Sequence, residues 1–193
     1  SYKYIIPIVA LGAASLPLIY KYGLDPYQQQ RINVFFDPYI DPLGNGYNVI
    51  QSMIAVGSGQ LWGKGYLHGT QNQMGYLPTK STDFIFSVFS EEFGFVGAII
   101  IVCLLFILIA RCFNAAKKAD NPFGRYICTG VGAMFLFHVF ENVGMCIGLM
   151  PVTGIPLPFI SYGGTSLLTN MTAIGLVLSV TYHNKPRSKF DVY

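Results

Sequence analysis

FGFVGAIIIVCLLFILIA, residues 93–110, runs for eighteen residues without a charge or a proline. A predominantly apolar run of that length matches the ~30 Å hydrocarbon core of a bilayer, so it reads as a membrane-spanning helix. The composition of the whole chain agrees. Of 193 residues 52% are hydrophobic and 11% charged, and the mean hydropathy is positive. That charge content is less than half the ~25% usual in a soluble domain. The net charge of +3 is scattered, with no basic run interleaved with aromatics, and this excludes a nucleic-acid partner.

Working outward, the run extends to a span over about 84–111, and three further segments are apolar enough to join it: about 4–20, 126–150 and 165–182. The first carries Pro7 and Pro17 and is short. The fold class expected is therefore an all-α polytopic membrane protein. Four spans are joined by a large loop over about 21–83 and a short one over about 112–125. Arg111, Lys117, Lys118 and Arg125 crowd the short connection, Lys185, Arg187 and Lys189 follow the last span, and Lys3 precedes the first. This places eight of the twelve cations on one side, which the positive-inside rule makes cytoplasmic. The large loop and the 148–166 segment then lie outside. Cys103, Cys112, Cys128 and Cys146 all fall in or beside apolar runs and form no CxxC pair, so they read as small buried hydrophobes. No basic n-region or A-x-A pattern accompanies the first run, which argues against a signal peptide; the chain reads as the C-terminal portion of a longer protein.

Within the large loop, DPYQQQRINVFFDPYIDPLGNGYN (25–48) has repeated Asp-Pro pairs and reads as irregular chain along the membrane surface. Val49, Ile50, Met53 and Ile54 make the stripe of one helical face, too short to span, so a re-entrant or interfacial helix is expected there. GSGQLWGKGYLHGT (57–70) has five glycines in fourteen residues, which lets backbone come close to a ligand or another segment. GLMPVTGIPLPFISYGGTS (148–166) cannot be a helix, because Pro151, Pro156 and Pro158 remove backbone donors while Gly154, Gly163 and Gly164 favour turns. It has to lie at the interface or against protein.

Ionisable residues next to the spans carry whatever chemistry there is. Ser81 or Thr82 suits a helix N-cap, and Asp83 then sits in the first turn, favoured by the macrodipole. An unbroken helix from Asp83 to Arg111 would be about 43 Å long, which puts Glu91 and Glu92 at the outer interface and Asp83 beyond them. Asp83 and Glu91 would face one way and Glu92 the other. A carboxylate held there could act as general base on a membrane-anchored substrate. His138 and Glu141 lie mid-span on one face, either as a buried polar contact between spans or as functional groups. No Ser/His/Asp order, Walker loop or metal-ligand spacing occurs.

The stretches Gly148 to Ser166 and Thr82 to Gly97 (TDFIFSVFSEEFGFVG) together resemble the C-terminal part of the SEDS family, bacterial membrane glycosyltransferases of shape, elongation, division and sporulation. Asp41 to Gln73 is more similar to the elongation, RodA-like branch than to the division branch. The resemblance implies ten spans, of which these are the last four, in the bacterial cytoplasmic (inner) membrane with the C-terminus inside. It implies polymerisation of lipid II into peptidoglycan glycan strands during elongation. The partners implied are the undecaprenyl-linked strand, a class B penicillin-binding protein and the elongation machinery. The aspartate that the family needs for activity falls on Asp83, as general base of an inverting transfer. An acceptor 4-hydroxyl attacks the anomeric carbon of the growing strand, and undecaprenyl pyrophosphate leaves. Lys64 and Lys80 are the cations on offer to the pyrophosphate, His68 and Gln71 possible sugar contacts, and Glu91 and Ser161 further substrate contacts. Pro156, Pro158, Tyr162, Gly163 and Gly164 would shape the cavity, with the 148–166 loop facing the Asp83 loop. No metal site and no cofactor are required; a divalent cation, Mg or Mn, is compatible. Gln60 stands where relatives often have glycine, and Thr79 and Ser81 where they often have Glu and His. The alternatives within the same likeness are a lipid II flippase and a non-catalytic scaffold for a transpeptidase.

Overall fold

The computed structural model describes residues 19–41, 44–70 and 82–184. The expected first span, Gln71, Lys80, Ser81 and the cations after the last span lie outside, apart from the span's last two residues. The chain divides into two compact units, Ser1–Tyr47 and Asn48–Tyr193. All regular elements among the described residues are helical.

In the first unit a π-helical turn, Ile19–Gly23, leads into helix α1, Pro26–Phe36. The irregular chain expected there is thus corrected to a helix of eleven residues. Its start was written in the sequence: Asp25 is the N-cap, Pro26 takes the first position where no donor is needed, and Gln28 Oε1 accepts from the Asp25 N–H at 3.2 Å. The Asp-Pro pair opens a helix instead of a turn. A 3₁₀ turn, Pro38–Ile40, follows, with Asp37 accepting from the Tyr39 N–H.

Helix α2, Asn45–Ser58, runs into the second unit and contains the expected short helix. Its inward face differs from the apolar stripe: Val49, Ser52 and Ala55 are buried, whereas Ile54 is 46% exposed. Spacing of three marks a helical face as well as spacing of four does, and a paired serine can occupy it. The Ser52 hydroxyl donates to the Cys146 carbonyl at 2.8 Å, so the 2.6 Å contact with Ser87 Oγ has Ser87 as donor.

Among the described residues three helices are long and apolar enough to cross a membrane: α3, Ile85–Lys118, α4, Pro122–Cys146, and α5, Gly164–His183. α3 and α4 pack as an antiparallel hairpin around Leu105, Ile109, Cys112, Cys128, Phe135 and Val139. α3 continues helically for seven residues beyond the expected end at Arg111, with Lys117 and Lys118 in its last turn, where cations suit the helix dipole. Asn121 then caps α4 by accepting from the Phe123 N–H, and only residues 119–121 separate the two helices. The connection expected over 112–125 is mostly helix. α4 stops at Cys146, four residues before the expected end. Gly148 adopts φ +75° and the Leu149 and Met150 N–H groups turn back onto the Gly144 carbonyl. Asn184, closing α5, donates to the Lys118 carbonyl and accepts from the Asp120 N–H, which ties its end to the hairpin turn.

Candidate functional site

α3 is not one continuous helix. Gly94 takes φ +69°, ψ −169°, and the ladder opens there. In an unbroken helix Phe95 and Val96 would donate to Glu91 and Glu92. Instead Phe95 N–H donates to Gln60 O (2.8 Å) and Val96 N–H to Leu61 O (3.2 Å). The freed Glu91 and Glu92 carbonyls accept from the N–H groups of Lys64 (2.9 Å) and Gly65 (3.0 Å). The glycine-rich loop is therefore inserted into the break and satisfies all four backbone groups, as irregular backbone at membrane depth has to be. Only glycine permits the approach: a Cβ on Gly63 would lie 2.1 Å from the Glu92 carbonyl oxygen, and one on Gly94 2.3 Å from the Gly63 nitrogen.

One ion pair reinforces the insertion. Lys64 Nζ lies 2.7 Å from Glu91 Oε1, and Thr70 Oγ1 donates to the same oxygen at 3.0 Å. Glu91 is 0% exposed and Glu92 6%, so both side chains are packed inside the protein and do not point out opposite ways. The kink and the covering loop are the cause. Glu91 has no free surface to present to a substrate in this conformation, and Lys64 is held by it. His68 is exposed, with Nδ1 2.9 Å from the Tyr66 carbonyl.

Before the helix, residues 82–84 form a turn, and the N-cap is Phe84. The N-cap expected at Ser81 or Thr82 is thus displaced. No side chain caps this end; instead the Thr82 and Asp83 carbonyls are drawn sideways into tertiary hydrogen bonds. Asn142 on α4 donates to Asp83 O (2.9 Å) and to Ile155 O (2.8 Å) through one amide nitrogen. Ser161 donates to Thr82 O (2.6 Å) and accepts from the Leu157 N–H (2.7 Å). Three segments meet here: the turn before α3, the end of α4 and the proline-rich stretch 148–166. The expected facing of the two loops is observed.

The Asp83 carboxylate is half-buried beside Gly154, where a Cβ would stand 3.5 Å from its Oδ2; with φ +77° this position favours glycine. Ser161, expected at the substrate, spends its hydroxyl on backbone. Pro158 is fully buried, Pro156 half-buried, Gly163 caps α5 and Gly164 opens it, and Tyr162 is 80% exposed. Glu141 accepts from Thr153 Oγ1 at 3.0 Å, so it ties α4 to the same stretch and does not join two spans. His138 makes no hydrogen bond among the described residues. Asn142 is the residue that sequence reading passed over: an amide one position after a buried acid has no motif, and its two carbonyl partners lie 59 and 13 residues away.

The family model FTSW_RODA_SPOVE, described as cell cycle protein, matches residues 1–186. The chain belongs to that family. Among its relatives, the Escherichia coli protein named peptidoglycan glycosyltransferase MrdB is 46% identical over 189 residues, covering 98% of this chain and 51% of the relative. The Treponema pallidum peptidoglycan glycosyltransferase RodA is 50% identical over 157 residues, 81% of this chain and 36% of the relative. A solved peptidoglycan synthase complex, described as coordinating polymerization and crosslinking, matches with TM-score 0.68 and 38% identity over 92% of this chain and 48% of that chain. An aspartate-to-alanine mutant of the Thermus thermophilus Rod shape determining protein RodA matches with TM-score 0.54 and 37% identity over 65% and 39%. The SEDS segment in hand spans about half the length of the curated relatives it matches.

Proposed function

We propose that the full-length protein is a peptidoglycan glycosyltransferase that polymerises lipid II during cell elongation, with Asp83 as its general base. The observation that carries this is the placement of Asp83: a half-buried carboxylate at the meeting point of three segments, its own backbone clamped by Asn142. Fixing the backbone of a catalytic carboxylate while leaving its side chain at the surface of the site is what positioning a base requires. Membership of a family whose relatives are named peptidoglycan glycosyltransferases supports the reaction.

In the reaction the Asp83 carboxylate takes the proton from the acceptor sugar 4-hydroxyl as its oxygen attacks the anomeric carbon of the lipid-linked strand. The pyrophosphate leaves with the electron pair of the broken bond, already anionic, so no protein acid is needed. Its charge calls for cations. Lys64 is engaged with Glu91, and Lys80 remains the candidate for this task. Among the described residues no three His, Cys, Asp or Glu side chains are grouped to hold a metal ion, so no step is routed through one. The partner proposed is a class B penicillin-binding protein, and the location the bacterial inner membrane with the Asp83 face outside.

Asp83→Asn in the full-length protein is expected to lower glycan polymerisation from purified lipid II by about a hundredfold or more, while the complex with the transpeptidase still forms. Activity within a few fold of wild type would discard Asp83 as base. Vesicles in which lipid II is flipped without being polymerised would favour the transport reading.

A further inference from the structure

At the opposite end of the α3–α4 hairpin, a cavity of about 480 Å³ is lined by Phe113, Ala116, Lys117, Arg125 and Thr129. We infer that this cavity is a binding site for the phosphate headgroup of an anionic phospholipid, held between Lys117 and Arg125.

The position comes first. The apolar run of α3 ends at Ala110, and Lys117 stands about 10 Å further along the axis. The headgroup layers add ~5–7 Å to each side of the hydrocarbon core, so the Lys117 backbone stands just beyond them and its long side chain reaches back to the level where phosphates lie. The floor is apolar: Ala116 is 5% exposed and Phe113 half-buried. Acyl chains leaving the site would continue along the lipid-facing side of the hairpin.

The charges are available. Among the described residues neither Lys117 nor Arg125 is in an ion pair. Arg125 uses one nitrogen, Nη2, on the Ala119 carbonyl at 3.1 Å, which anchors the guanidinium and leaves its other donors open. Asp120 is the one acid between Arg111 and Thr129.

The donors decide between a lipid and a free anion. Helix N-termini bind free phosphate through unspent backbone N–H groups. At α4 most of those groups are spent, missing or covered: Pro122 has none, Phe123 donates to Asn121 Oδ1, Arg125 N–H donates to Asn121 O, and Gly124 is buried against Val180. Thr129 donates its hydroxyl proton to the Arg125 carbonyl. What remains is two side-chain cations over an apolar floor, which suits a singly charged diester attached to hydrocarbon.

The test is native mass spectrometry of the full-length protein released from vesicles of equimolar phosphatidylglycerol and phosphatidylcholine. Wild type is expected to retain phosphatidylglycerol preferentially. Lys117→Ala and Arg125→Gln are expected to reduce that preference about fivefold each, a factor matching one cation near an anionic surface, and Lys117→Arg to keep it. Among the described residues Lys117 makes no hydrogen bond, so its replacement still tests the site where the Arg125 variant fails to fold. Unchanged preference in Lys117→Ala, or equal retention of the two lipids by wild type, overturns the site. Displacement of the lipid by millimolar inorganic phosphate would make it a free-anion site and overturn the lipid assignment.

Discussion

Asn142 is buried, and its amide nitrogen serves two backbone carbonyls from separate segments, those of Asp83 and Ile155. Removing it strips both carbonyls of a partner at a part-buried junction. Asn142→Ala is expected to cost about 1–3 kcal/mol of stability and to reduce polymerisation through misplacement of Asp83. Thermal unfolding in detergent and the glycan assay check the two effects separately. Lys64 poses the sharper question, because its sequence invites a phosphate contact and its geometry shows a salt bridge with fully buried Glu91. Taking away one partner of such a pair leaves an uncompensated charge, whereas removing both does not. Lys64→Met and Glu91→Gln should each loosen the 59–70 loop, seen as faster hydrogen exchange there, and the double Lys64→Met, Glu91→Met variant should recover most of the protection. If Lys64 instead serves the substrate alone, Glu91→Gln will leave exchange in the loop unchanged.

Among the elements, α3 shows how a strong local signal conceals a tertiary event. Residues 93–110 are legible as a span from composition alone, and the helix is there. The break at Gly94 was not legible, because a glycine inside an apolar helical run is common and its conformation depends on what reaches it. The four backbone hydrogen bonds between 60–65 and 91–96 supply the reason. Gln60 sits in this junction with φ +49°, a left-handed conformation that costs a non-glycine residue about 1 kcal/mol. Gln60→Gly is expected to be neutral or to stabilise the protein by up to ~1 kcal/mol, measured as a rise in the unfolding midpoint. A marked fall would mean that the glutamine side chain does something the backbone does not explain. α1 teaches the converse: Asp25, Pro26 and Gln28 form a readable helix start, and an Asp-Pro pair, shared by turns and helix N-termini, is ambiguous without that third residue.

For the molecule as a whole, the proposed orientation rests on the cation asymmetry, and it is open to a direct test. In a cysteine-free background, Trp62→Cys in the exposed loop should react with a membrane-impermeant maleimide in intact spheroplasts, and Asp120→Cys only after permeabilisation. The reverse labelling pattern would invert the proposed topology and take Asp83 to the wrong face for a lipid II polymerase. By itself the sequence determined that the chain carries helices long and apolar enough to cross a membrane, and that Asp83 stands just before one of them. These are consequences of local composition and period, which a bilayer reads almost directly. Only the tertiary structure decided that α3 is broken, that the glycine-rich loop fills the break, that Glu91 is interior, and that Asn142 and Ser161 clamp the turn carrying Asp83. Those facts rest on hydrogen bonds between segments that are distant in the chain. Such bonds leave no period in the sequence, because either partner satisfies its backbone equally well until the fold brings the other near.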